Sequence, residues 1–317
     1  MDKMMIEKTI SLQAKPFLKW AGGKTQLLSD IEKALPNDLK NTDNLTYIEP
    51  FVGSGAVMFW FLKRYKNVKR AIINDINSNL TNAYHVIKHQ PHELIALLTK
   101  YQNAYDNLAS EESRRDMFLD KRLKFNEKHK DILQNTALMI FLNKTCFNGL
   151  YRVNSKNGFN VPFGKYEKPR ICDSETILAD SAILQNVTIL NGDYANTLNY
   201  AEGSTFFYLD PPYKPLTKTA SFTSYSSDMF DDSQQERLAD FCHLLDLKNH
   251  SWLLSNSDVK NIEVQNDYFD DLYANFNIQR VQAKRSINSD ATKRGSIYEL
   301  LISNYELMPV PQPLALF

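Results

Sequence analysis

Three short apolar runs in this chain each end in a turn suited to close backbone approach or to rigidity. They are LTYIEPFVGSG (45–55), KRAIINDIN (69–77) and STFFYLDPPY (204–213). Runs of this length, bounded by Gly, Asn or Pro and followed by helical patterns, predict buried strands with functional loops at their ends. VTILNGD (187–193) and HSWLLSN (250–256) predict two more. Strands that alternate with helices imply an α/β fold, a mostly parallel sheet wound by right-handed crossovers. Ligands of such sheets sit beyond the carboxyl ends of the strands, where these turns gather. The last segment, NIQRVQAKRSINSDATKRGSIYELLISNY, predicts two strands flanking a polar, basic loop.

Between 78 and 170 the strand signals vanish. Residues 91–109 and 111–145 predict helices, from Leu94, Leu97 and Leu98 and from Leu133, Leu138, Phe141 and Leu142 at three- and four-residue spacing. A turn-rich basic stretch follows, NKTCFNGLYRVNSKNGFNVPFGKYEKPR. The expected organisation is a sheet domain made of 1–77 and 171–317, with 78–170 inserted as a mainly helical domain. A length of 317 residues, 43% hydrophobic and 23% charged, is that of an ordinary globular chain with ample core. Cys146, Cys172 and Cys242 show neither paired nor metal-ligand spacing, which implies reduced thiols and a cytoplasmic setting. No signal-peptide pattern and no apolar run of membrane-spanning length occurs, so no membrane association is expected. The formal net charge of zero argues against a surface coated for nucleic acid but permits a local basic cleft.

The chemistry concentrates in a few segments. In DPPY, Asp210 to Tyr213, Pro211 and Pro212 stiffen a turn in which a carboxylate and a carbonyl stand together. An amino nitrogen conjugated to a heteroaromatic ring is a poor nucleophile. Acceptors on both of its N–H groups favour a pyramidal nitrogen whose lone pair points at an electrophile. Tyr213 can stack on the ring, although a rigid strand exit is the plainer reading of such a turn. FVGSG (51–55) precedes a helical pattern, and Asp75 stands 22 residues after Gly53, the interval at which such folds hold ribose hydroxyls. The combination points to an adenosine-bearing cofactor without deciding which one, although a nicotinamide cofactor would normally bring the third glycine of the fingerprint, which is absent here. GGKT in KWAGGKTQLL mimics the end of a P-loop, yet Leu18 occupies the position of the first glycine, and no glycine precedes Gly22. A phosphate nest cannot form there. The six histidines show no metal-binding spacing, and no cysteine stands beside a proline as a cytosine-C5 nucleophile would.

Taken in order, KWAGGK, EPFVGSG, IINDIN, FNGLYRVNSKNGFNVPFGKY and DPPY with SFTSY resemble the Dam-type family, the alpha-group or D12 class of DNA adenine-N6 methyltransferases. The resemblance runs from about Pro16 to Tyr305. It implies a Rossmann-like S-adenosylmethionine-dependent methyltransferase sheet with an inserted, mainly helical DNA-recognition domain. It further implies that Trp20, Lys24, Phe51, Gly53 and Asp75 surround the cofactor and that Asp210 serves both cofactor and base. Asp193 is a candidate for the cofactor's adenine end, with an Asx-turn as the alternative. The implied reaction is direct transfer of the sulfonium methyl to adenine N6, without metal or covalent intermediate.

The partner implied is double-stranded DNA, with GATC as the expected target and a restriction endonuclease of the same specificity as a companion that forms no stable complex. The chain is expected to act as a monomer. Asn148, Arg152 and Lys165 fall in the segment expected to form a groove-entering hairpin, where an Arg can fork to guanine O6 and N7. Lysine at 165 cannot fork in that way. Lys284, Arg285, Lys293 and Arg294 form a second basic cluster, expected to clamp phosphates. Ser221, Phe222, Thr223 and Tyr225 are expected to form a rim over the extruded base.

Overall fold

The computed structural model describes residues 13–20, 22–127, 131–213, 230–284 and 296–306. Seven strands form one sheet: β1 (Leu45–Glu49), β2 (Val68–Asp75), β3 (Val187–Asn191), β4 (Thr205–Leu209), β5 (Ser251–Ser257), β6 (Asn277–Lys284) and β7 (Ser296–Ser303). Their spatial order is β3-β2-β1-β4-β5-β7-β6. The first five are parallel, and β7 is wedged antiparallel between β5 and β6. β1 and β4 are buried at every residue, as central parallel strands with both faces covered must be.

The helices are α1 (Leu28–Lys33), α2 (Ala56–Arg64), α3 (Ser78–His89), α4 (Pro91–Asp106), α5 (Glu111–Asn126), α6 (Ile132–Thr145), α7 (Ser174–Leu184), α8 (Asp232–Leu247) and α9 (Tyr268–Leu272). The single helix expected over 111–145 is two. Ser110 caps α5 in a capping box, and the Asp131 carboxylate accepts the Gln134 N–H to start α6 afresh. The apolar spacing runs through both helices and hides the break; Asp131 just before Ile132 and Leu133 is the cap that marks it.

Two cores result. One joins a face of the sheet (Tyr47, Ile73, Leu301) to α2, α3 and the helical segment through Phe61, Tyr84, Leu98, Tyr105, Phe118, Leu138 and Phe141. The other packs Ile48, Ile72, Phe207, Leu209, Trp252 and Leu254 against Leu238, Phe241 and Leu245 of α8 and Phe269 of α9. α6 is buried almost all round because α3, α4 and α5 all pack on it. The connections turn one way from β1 towards β2 and β3, and the other way from β4 towards β5. The reversal lies between β1 and β4, so a crevice opens beyond their carboxyl ends. No helix among the described residues is long and apolar enough to cross a membrane.

Candidate active site

A cavity of about 840 Å³ occupies that crevice. Six segments line it: Trp20 and Gly22 to Lys24, Glu49 to Ser54 with Ala56 and Val57, Asn74 to Ile76, Gly192 to Tyr194, Asp210 to Tyr213, and Phe230, Gln234 and Arg237 at and just before the start of α8. Every cofactor-binding and catalytic residue expected from the sequence is in this wall. Trp20, Lys24, Phe51, Gly53, Asp75, Asp193, Asp210, Pro211, Pro212 and Tyr213 meet there although the chain spreads them over nearly two hundred positions.

The loop after β1 is tied to its neighbours by backbone groups. Val52 N–H donates to the Asn74 carbonyl at 2.9 Å, and the Asn74 side-chain amide donates to the carbonyls of Pro50 (3.0 Å) and Gly192 (2.9 Å). Asp75 accepts from Asn77 N–H at 2.9 Å on one oxygen and from Gly53 N–H at 3.1 Å on the other. Burial pushes its carboxyl pKa up, and these two N–H donors oppose the rise. Gly55 enters α2 at φ +74°, and a Cβ there would stand 2.6 Å from the Tyr84 hydroxyl oxygen, so only glycine fits. That hydroxyl donates to the Gly53 carbonyl at 2.9 Å and holds the loop from below.

Lys24 is 5% exposed, and its ammonium is shared three ways. Nζ lies 2.7 Å from Asp210 Oδ1, 3.0 Å from the Gly22 carbonyl and 4.3 Å from the centre of the Tyr213 ring. Ser255 Oγ donates to the same Asp210 oxygen at 3.0 Å and accepts in turn from Tyr208 Oη at 3.0 Å. Both contacts fall on Oδ1, and neither engages Oδ2. Burial drives the Asp210 pKa up, while the Lys24 charge and the Ser255 hydrogen bond pull it back. The arrangement can therefore keep a carboxylate ionised in a dry setting, with one oxygen turned to other use. Gln235 on α8 steadies the turn by donating to the Pro212 carbonyl at 3.3 Å, and Asn256 donates to Gln235 at 3.1 Å.

At the far end, Asp193 accepts from Ala195 N–H at 2.9 Å, the Asx-turn weighed as an alternative for it. It also takes a bidentate contact from Arg237 at 2.7 and 2.8 Å, which holds its carboxyl below the usual carboxylate range. Phe51, Tyr194 and Phe230 form an aromatic wall with ring centres 5.0–6.4 Å apart.

Glu49, Ser255, Arg237 and Glu299 were not anticipated. Burial pushes the Glu49 carboxyl well above its ordinary value, and Tyr47 Oη donates to it at 2.6 Å. A lone Glu closing the apolar run LTYIE was the available signal. For Ser255 and Arg237 the sequence offers no comparable sign.

The expected DNA-reading residues lie outside the cavity wall. Asn148 is exposed in a left-handed turn at φ +57°, as its Asn-Gly pair predicts. Arg152 donates from Nε to the Asn160 side chain at 2.8 Å and from NH2 to its carbonyl at 3.3 Å. Where a hairpin is expected, Cys146 bridges Phe163 and Val153 bridges Phe159 antiparallel, and Asn154 N–H donates to the Gly158 carbonyl at 2.9 Å and Asn160 N–H to the Arg152 carbonyl at 3.1 Å across a short turn. Lys165 is 70% exposed and pairs with Glu111 at 2.9 Å. Arg285, Lys293 and Arg294, the side chain of Lys284, and the rim at Ser221, Phe222, Thr223 and Tyr225 lie outside the described residues. The three cysteines are free thiols, and no His, Cys, Asp and Glu cluster among the described residues could hold a metal.

An α/β sheet with a carboxylate-bearing proline turn at its switch point is a ligand-binding arrangement of the open α/β class. Residues 20–287 match the family described as D12 class N6 adenine-specific DNA methyltransferase. The chain is 48% identical to the type II methyltransferase M.MjaIII of Methanocaldococcus jannaschii, over 93% of this chain and 100% of that one. It is 37% identical to the type II methyltransferase M1.LlaDCHI of Lactococcus lactis subsp. cremoris, over 93% and 96% of the two chains. It is 34% identical to the DNA adenine methylase of Escherichia coli K12, over 90% and 94%. The chain belongs to the D12 class of N6 adenine-specific DNA methyltransferases.

Proposed function

We propose that this chain transfers a methyl group from S-adenosylmethionine to N6 of an adenine flipped out of duplex DNA, at a GATC-type site. The donor set of the cavity fits that cofactor. Asp75 would take the ribose hydroxyls, and the Phe51 and Tyr194 rings, 5.0 Å apart in the cavity wall, would cover an adenine face. Gly22 and Gly192 lie where an added Cβ would meet nothing within 4 Å. Trp20, Gly53 and Asp193 complete the set that would hold it. Bound there, S-adenosylmethionine supplies a methyl group on a positively charged sulfur, electrophilic enough for direct transfer.

The observation that carries the reading is the setting of Asp210, whose Oδ1 lies 2.7 Å from the Lys24 ammonium and accepts from Ser255 at 3.0 Å. Oδ2 and the Pro211 carbonyl then accept the two N6 hydrogens, and the nitrogen lone pair is freed. Tyr213 stacks on the base, and the prolines hold the turn without rearrangement. Residues 78–170 serve as the recognition domain. Arg152 reads guanine from an edge set by Asn160, with Asn148 and Lys165 beside it, while Lys284, Arg285, Lys293 and Arg294 bind phosphates. The type II names of two relatives support a setting with a restriction endonuclease of the same specificity, acting separately. The enzyme acts as a monomer.

Duplex DNA of random sequence incubated with methyl-labelled S-adenosylmethionine tests this directly. Label on adenine N6 within one short motif is expected. Label on cytosine N4, or none while DNA is bound, overturns the assignment. Mapping the modified adenines tests GATC separately.

A further inference from the structure

β7 carries one carboxylate on the face that its neighbours Ile297 and Leu301 turn towards the core. It belongs to Glu299, in register with Ser257 of β5 and Val281 of β6, close to the carboxyl end of β5. The Tyr213 hydroxyl donates to Glu299 Oε2 at 2.6 Å across 86 residues of sequence. The same tyrosine ring lies under the Lys24 ammonium, 4.3 Å from its centre. The ring is thus fixed at two points, its tip by Glu299 and one face by Lys24.

We propose that Glu299 is a positioning residue for adenine methylation: by accepting the Tyr213 hydroxyl hydrogen it fixes the direction of that ring's long axis, while Lys24 covers one face, so that the opposite face is presented to the target base. The inference rests on the function proposed above. Holding the hydroxyl sets where the tyrosine axis points, the ammonium on one face opposes turning about that axis, and stacking on an extruded base needs both. The hydroxyl is well suited to being held. A phenol donating to a carboxylate makes a short, charge-assisted bond and carries more electron density into the ring, which strengthens its attraction for the Lys24 ammonium. The two anchors reinforce each other. Burial raises the carboxyl pKa of Glu299, and the Lys24 charge and the Tyr213 hydrogen bond oppose that rise, so both neighbours favour the accepting form. Glu299 reaches Asp210 through these partners and needs no contact with the transferred group.

A double-mutant cycle in the full chain tests the inference, read by single-turnover methylation of a duplex and by 2-aminopurine fluorescence at the target position. Glu299→Ala and Tyr213→Phe are each expected to slow methylation about tenfold, with the dissociation constant for S-adenosylmethionine changed less than about twofold. The double variant is expected to be no slower than the slower single, because both remove the same bond. Glu299→Gln, whose side-chain oxygen still accepts, should recover to within about threefold of the parent and separates loss of the acceptor from loss of fold. Multiplicative losses in the double variant, a Glu299→Gln as slow as Glu299→Ala, or a Glu299→Ala at parental rate would each overturn the role. Failure of the parent to label adenine N6 would instead overturn the reading beneath it.

Discussion

The cavity wall and the segment from Cys146 to Arg170 are built by different means. Each loop of the wall leaves the carboxyl end of a buried strand or packs on one. Its position is inherited from the ladder, as when Val52 and Gly192 bond back to Asn74 and Asp75. The second region has two isolated bridges and no ladder. A few backbone bonds cross it, among them Phe147 N–H to the Pro162 carbonyl and Asn154 N–H to the Gly158 carbonyl, both at 2.9 Å, and side-chain amides add to them. Asn126 grips both backbone groups of Phe159 at 2.7 and 3.1 Å, and Asn154 accepts from Lys156 N–H and Gly158 N–H at 3.0 Å each. Backbone ladders fix a geometry closely, whereas side-chain clamps on turns allow residues to change while the scaffold persists.

This contrast has measurable consequences. Asp210→Ala strikes the ladder-held side and is expected to lower single-turnover methylation by about 10³-fold or more, with DNA affinity within a few-fold. A gel-shift titration beside the methylation assay checks both halves, and parallel loss of binding would break the separation of the two regions. Asn143 joins them. It accepts from Lys19 N–H at 2.9 Å and donates to the carbonyls of Lys19 (2.9 Å) and Gly149 (2.8 Å) while 1% exposed. Asn143→Ala leaves three backbone groups short of partners and should cost about 3 kcal/mol of stability by urea unfolding. A cost under about 1 kcal/mol would mean that the joint is unimportant.

Lys24→Met removes the charge that opposes burial at Asp210. Because the proposed reaction needs Asp210 ionised to accept N–H hydrogens, its higher pKa should shift the acid limb of the methylation pH profile upward. The rate on the acid side should fall and recover as the pH rises. An unshifted limb would show that Lys24 does not govern that ionisation. Arg152→Ala acts on the clamp-held side alone. Discrimination at one base pair should weaken by about 1–3 kcal/mol, with cofactor binding and nonspecific affinity nearly unchanged. Sequencing of methylated sites would expose an unaltered pattern and remove Arg152 from recognition.

Much of the catalytic wall was legible because its segments are local. LTYIEPFVGSG and STFFYLDPPY each carry strand and functional turn within about ten residues, so apolar run, glycine and carboxylate can be read together. The two helices of 111–145 merged in the reading because one apolar period runs through both, and only the cap at Asp131 separates them. Lys24 is expected beside the cofactor; in the folded chain it lines the cavity, and its ammonium is engaged by Asp210, Gly22 and Tyr213.

What the sequence determined by itself was the alternation of strands and helices, the turns at the carboxyl ends of the strands, and Asp75, Asp193 and Asp210 within them. These follow from short-range periodicity and turn chemistry. What only the tertiary structure decided was pairing between distant side chains: Glu299 with Tyr213, Arg237 with Asp193, Ser255 with Asp210, and Asn143 with Lys19. A hydrogen bond is made between atoms within about 3 Å, and which atoms come that close depends on strand order and register, properties of the whole sheet that no short window of residues contains.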